Sequence, residues 1–175
     1  MKVTVLKGGS SLERGVSLRS AARVEDAVAA LGHEAVGIDV GAELVSRLRD
    51  ERPDVVFIAL HGPGGEDGTV QELLEILGLP YTGPGVAACA LCMDKVAAKH
   101  DMRAAGIPTP DWAAFNATAF SELGAADALE EIEAQLGFPR LFIRPMTSPA
   151  MLSQDRPDVA REVDRRIRKR TASRN

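Results

Sequence analysis

Nine residues between two apolar runs, His61-Gly62-Pro63-Gly64-Gly65-Glu66-Asp67-Gly68-Thr69, set a titratable ring and two carboxylates in backbone almost free of side chains. The run before them, residues 54–60, is β-branched and apolar, with the length and composition of a buried parallel strand. The run after them, residues 69–77, repeats its apolar positions at helical spacing and is stopped by Gly78. A glycine-rich crossing from strand to helix at the carboxyl end of a parallel sheet is where open α/β folds place ligands. This one tract therefore constrains both the architecture and the position of the functional site.

The same alternation runs through the first hundred residues. Residues 2–6 read as a strand, 16–31 as an amphipathic helix stopped by Gly32, and 34–40 as a second strand. Residues 43–52 read as a helix halted by Pro53, and the strand ending at Leu60 follows. The order βαβαβ predicts a parallel sheet with helices on its faces, hence an α/β fold of three layers. A short strand at 80–82 and one helix over 85–105 are expected next, and Gly106-Ile107-Pro108-Thr109-Pro110 reads as a linker. Beyond it a strand at 112–115, a helix at 122–136 and a strand at 139–143 are expected.

Bulk properties exclude several function classes. At 175 residues the chain can bury roughly 70% of its unfolded surface, enough for one domain and part of a second. A net charge of −4 argues against a general nucleic-acid or membrane surface. The amino terminus shows no signal peptide and no membrane span, so a cytoplasmic protein is expected. The two cysteines, Cys89 and Cys92, form a C-x-x-C without a second pair to complete four zinc ligands. They are expected to be two small buried residues on one helix face.

A second loop, Gly8-Gly9-Ser10-Ser11-Leu12-Glu13-Arg14, also joins a strand to a helix. It lacks the G-x-G-x-x-G spacing of dinucleotide folds, and Asp39 alone is weak support for a ribose contact. It offers bare backbone amides for an anion beside Glu13, whose carboxylate suits an ammonium group. A zwitterion such as an amino acid satisfies both. For Glu66 and Asp67 the simpler expectation is capping of the helix near Thr69.

Three motifs in one order now carry a resemblance: Gly8-Gly9-Ser10-Ser11-x-Glu13-Arg14-x-Val16-Ser17-Leu18, His61-Gly62-x-x-Gly65-Glu66-Asp67-Gly68-x-x-Gln71, and Tyr81-Thr82-Gly83-x-Gly85 leading to Met93-Asp94-Lys95. Together they resemble the D-alanine:D-alanine ligases of the ATP-grasp superfamily, from Met1 to about Pro139. The resemblance implies a Rossmann-like, pre-ATP-grasp domain over residues 1–109, the beginning of the central ATP-grasp domain over 110–146, and a divergent basic tail over 147–175. It implies ATP-dependent joining of two D-alanines through an acyl phosphate, for peptidoglycan precursor synthesis, in a homodimer that uses ATP and Mg²⁺. By the same resemblance Glu13 binds the ammonium of the first D-alanine, His61 lies near the acyl phosphate, and Lys95 contacts the nucleotide phosphates. Arg14 and Ser17 are expected to support their loop.

After Gly137-Phe138-Pro139 the pattern departs from the family. Arg144 stands one residue late, where a phosphate-binding lysine is expected, and no glycine-rich loop follows in Met146-Thr147-Ser148-Pro149-Ala150-Met151. The family's Mg²⁺ ligands have no counterpart, so a truncated or divergent chain, inactive alone, is expected. The alternative is a non-catalytic remnant acting as a binding or dimerising module. The arginine-rich tail over 156–175 lacks aromatic residues for stacking, so an interrupted reading frame is favoured over nucleic-acid binding.

Overall fold

The computed structural model describes residues 1–112 and residue 114. The expected elements at 112–115, 122–136 and 139–143, together with Arg144 and the basic tail, lie outside the described residues. The chain divides into two compact units, Met1–Met93 and a second beginning at Asp94.

The first unit is built on three parallel strands, β1 (Lys2–Lys7), β2 (Glu34–Asp39) and β3 (Val55–Ile58), in the order β2-β1-β3. Strand β1 pairs from Lys2↔Glu34 to Lys7↔Asp39 on one side and from Val3↔Val55 to Leu6↔Ile58 on the other. Being central, it buries four consecutive residues, Val3 to Leu6, the polar Thr4 among them.

Strand side chains alternate between faces, and each face has its own cluster. Val3 and Val5 pack with Ala21 and Ala59, flanked by Val24, Val28, Val55 and Phe57. On α1 (Arg14–Ala30) this uses positions 17, 21, 24 and 28, a stripe whose two buried members, Ser17 and Ala21, are small. The opposite cluster joins Leu6, Ile38 and Val56 to Leu44 and Leu48 of α2 (Leu44–Glu51) and to Val70 and Leu74 of α3 (Thr69–Ile76). Helix, sheet and helix pair form the three layers that the βαβαβ order predicts.

Local stops follow the sequence closely. Gly32 takes φ +79° after α1, and Gly78 takes φ +67° after α3. Arg52 adopts the left-handed conformation at φ +46° because Pro53 disfavours the helical region for the residue before it.

Two expectations need correction. Residues 80–82 form no strand: a single parallel bridge, Val56↔Tyr81, is all that extends the sheet there. The amide of Val56 donates to the Pro80 carbonyl and that of Thr82 to the Val56 carbonyl, after which the Gly83-Pro84 turn leads away. Nor is the helix at 85–105 continuous. It is split into α4 (Val86–Met93) and α5 (Lys95–Ala104), because Asp94 is extended at ψ 101° and its side chain accepts from the amides of Val96 and Ala97. A carboxylate that satisfies two orphan amides starts a new helix more favourably than it continues an old one.

Candidate functional site

Both glycine loops leave the carboxyl ends of adjacent strands, β1 and β3, so the parallel sheet itself brings them side by side. The first loop is anchored by Ser17, which is fully buried. Its hydroxyl accepts from the Gly8 amide at 2.9 Å and donates to the Ala59 carbonyl at 2.7 Å, tying one loop to the strand end that opens the other. Arg14 forms a two-pronged ion pair with Asp39, and Asp39 also accepts from the Gly9 amide at 3.2 Å. Hydrogen bonding from Arg14 holds the Asp39 carboxyl down to about 2. A Cβ on Gly8 would lie 2.2 Å from Asp39 and 2.4 Å from Arg14, so only glycine admits this clasp.

These contacts correct one expectation in part. The amides of Gly8 and Gly9 are occupied by Ser17 and Asp39, and Gly64, Gly65 and Glu66 donate to Asp67 or to the Gly62 carbonyl. The loops therefore satisfy much of their own backbone, as buried or tightly turned chain must. The amides of Ser10, Ser11 and Leu12 are left without a partner among the described residues.

Glu13 lies against the loop that His61 opens. Glu13 is the N-cap residue of α1 by position, yet its carboxylate makes no capping bond and no ion pair among the described residues. A Cβ on Gly62 would stand 2.8 Å from Glu13 Oε2 and 2.6 Å from Ser11 Oγ, so the carboxylate rests directly over the glycine that follows His61. The His61 ring has a neighbour on each edge: Nε2 is within hydrogen-bond reach of Ser20 Oγ at 3.1 Å, and Nδ1 faces Glu66 Oε1 at the longer distance of 3.4 Å. The ring and Glu66 are each partly open to solvent.

The acidic pair of the second loop divides its work. Asp67 accepts from the Gly64 and Thr69 amides, the capping role expected of it. Burial opposes its charge, but these amides hold its carboxyl below the ordinary range. Glu66 faces His61 instead. Gln71, buried, donates to the Gly65 carbonyl at 2.8 Å, while its Oε1 has no partner among the described residues.

Lys95 opens α5 and so belongs to the second unit, whereas Glu13 and His61 belong to the first. The cysteine pair is corrected in part: Cys89 is buried, but Cys92 is exposed. Cys89 points its thiol to the Pro84 carbonyl, and burial pushes that thiol up. Among the described residues no group of three or more His, Cys, Asp and Glu could hold a metal ion, and no helix is long and apolar enough to cross a membrane.

Sequence reasoning missed Ser20 altogether and underrated Asp39. Neither belongs to a local pattern, because each acts on a residue 25 or 41 positions away. Asp94 was missed for a lesser reason, since an Asp before a run of helix formers is a readable start signal.

Comparison with known proteins gives a consistent likeness. Residues 43–84 match the family model described as D-ala D-ala ligase N-terminus. A D-alanine–D-alanine ligase of Moorella thermoacetica is 47% identical over 145 residues, which is 83% of this chain and 47% of that protein. The solved D-alanine–D-alanine ligase of Coxiella burnetii superposes with a TM-score of 0.70 at 25% identity, covering 94% of this chain and 60% of that one. The Bacillus anthracis ligase complexed with ATP gives 0.59 at 30%, covering 78% and 54%. The chain spans about half the length of the curated relatives it matches.

Proposed function

We propose, from the premise that this chain is a relative of the D-alanine–D-alanine ligases over their amino-terminal portion, that it supplies the site for the first D-alanine in an ATP-dependent D-alanine:D-alanine ligation. The observation that carries this reading is the Glu13 carboxylate, which among the described residues neither caps its helix nor pairs with a cation and rests over Gly62 beside His61. An unpaired carboxylate at the meeting point of two glycine loops suits the ammonium of a small amino acid. His61 is assigned to the neighbourhood of the reacting carboxyl group, where a ring proton would offset developing negative charge.

ATP would supply the phosphoryl group that activates the first D-alanine, and Lys95 is the described residue assigned to its phosphates. The described residues do not form a Mg²⁺ site, so no step is assigned to that ion. The test is a chimera joining residues 1–139 to the carboxyl-terminal half of the Moorella relative. Glu13→Gln keeps the shape and loses the charge, and a charge-assisted hydrogen bond contributes roughly 1.5–3 kcal/mol, so kcat/KM for the first D-alanine should fall at least about tenfold. An unchanged value would return Glu13 to the role of a solvated residue at a helix start.

A further inference from the structure

We propose that Glu66 fixes which ring nitrogen of His61 carries the proton, and that Ser20 is a positioning residue that holds the opposite edge of the ring. Ser20 projects from α1 one turn beyond Ser17, and its hydroxyl lies 3.1 Å from His61 Nε2. Glu66 Oε1 lies 3.4 Å from Nδ1 on the other edge of the ring. An ionised carboxylate can only accept, so its charge draws the proton of a neutral ring to Nδ1. Nε2 is left with a lone pair, and the Ser20 hydroxyl, free to rotate, donates to it.

This arrangement limits what His61 can do. In its neutral form the ring has no proton at Nε2 to offer a substrate. Donation from that nitrogen requires the imidazolium form, whose charge Glu66 faces, and the Ser20 hydroxyl then turns from donor to acceptor. A serine can serve both states, whereas an aliphatic side chain there would serve neither. The relevance to transfer chemistry rests on the role proposed for His61 above, but the tautomer itself does not.

The test uses the full chain, ¹⁵N-labelled, with long-range ¹H–¹⁵N correlation spectra of the three histidine rings above about pH 8.5, where ordinary imidazoles are neutral. Loss of a signal in His61→Gln assigns it. His61 should be mainly the Nδ1–H tautomer in the wild type. Glu66→Gln should at least double its Nε2–H fraction while His33 and His100 stay unchanged; Ser20→Ala, which frees the Nε2 edge, should move the His61 ring shifts, and Ser20→Thr, which keeps a hydroxyl, should restore them. A wild-type ring mainly protonated at Nε2, or a Ser20→Ala spectrum identical to wild type, would overturn the proposal. Should Ser20→Ala fail to fold, the wild-type spectrum and the exposed Glu66→Gln variant decide it: no shift in Glu66→Gln also overturns it. Because no turnover is measured, failure here leaves the ligation reading standing, and failure of the chimera leaves this one standing.

Discussion

Replacing Ser17 with alanine removes a single oxygen, and the fold makes that oxygen expensive to lose. The Cβ remains and the helix is slightly favoured, by about 0.5 kcal/mol, since alanine is the better helix former. Against this, the buried Gly8 amide and the Ala59 carbonyl both lose their partner at a fully buried position. An unsatisfied buried donor or acceptor costs about 1–3 kcal/mol, so two of them less the helix gain give a net expected loss of about 1.5–5.5 kcal/mol. Urea unfolding followed by circular dichroism should show a midpoint lower by roughly 1–3 M, at a slope of about 2 kcal/mol/M that is itself unchanged. Ser46→Ala is the matched control: its hydroxyl donates to the Glu43 carbonyl on an exposed helix start, and the change should stay within about 0.5 kcal/mol. If Ser17→Ala costs no more than Ser46→Ala, water reaches the Gly8 amide, and the idea that Ser17 ties the two loops together is wrong.

Two further outcomes follow from the same site. A methyl on Gly65 would stand 2.3 Å from Leu60 Cβ and 3.2 Å from its carbonyl carbon, so Gly65→Ala should destabilise the chain by about 1–3 kcal/mol. Gly41→Ala, with nothing within 4 Å, should stay within about 0.5 kcal/mol, and equal unfolding midpoints for the two would contradict the packing. For Asp39, hydrogen bonding from Arg14 lowers the pKa from 3.8 to about 2, so its contribution is present above 3.8 and lost as the pH falls through 2. The shift corresponds to about 2.4 kcal/mol before screening, but the side chain is 45% exposed, which reduces the expected share to below about 1 kcal/mol. Asp39→Asn should therefore lose less stability than wild type between about pH 5 and pH 2 in urea titrations, and parallel losses would place the pair outside the folding balance.

The sequence by itself determined the order of elements and the layer each belongs to. Apolar period, glycine stops and Pro53 act within a few residues, so β1, α1, β2, α2, β3 and α3 fall within two or three residues of their expected bounds. The placing of Glu13 and His61 on loops at one sheet edge follows from that order too, because parallel strands release their chains at the same end. The tertiary structure alone decided which partners those loops chose. Arg14 clasps Asp39, Ser17 reaches Ala59, and Ser20 meets His61, across separations of 25, 42 and 41 residues. A local pattern cannot encode such pairs, since they depend on which side chains the sheet register brings within about 3 Å and on which backbone groups burial leaves without water. The same accounting used the amides of Gly8, Gly9, Gly64 and Gly65, and it left the Glu13 carboxylate without a partner among the described residues.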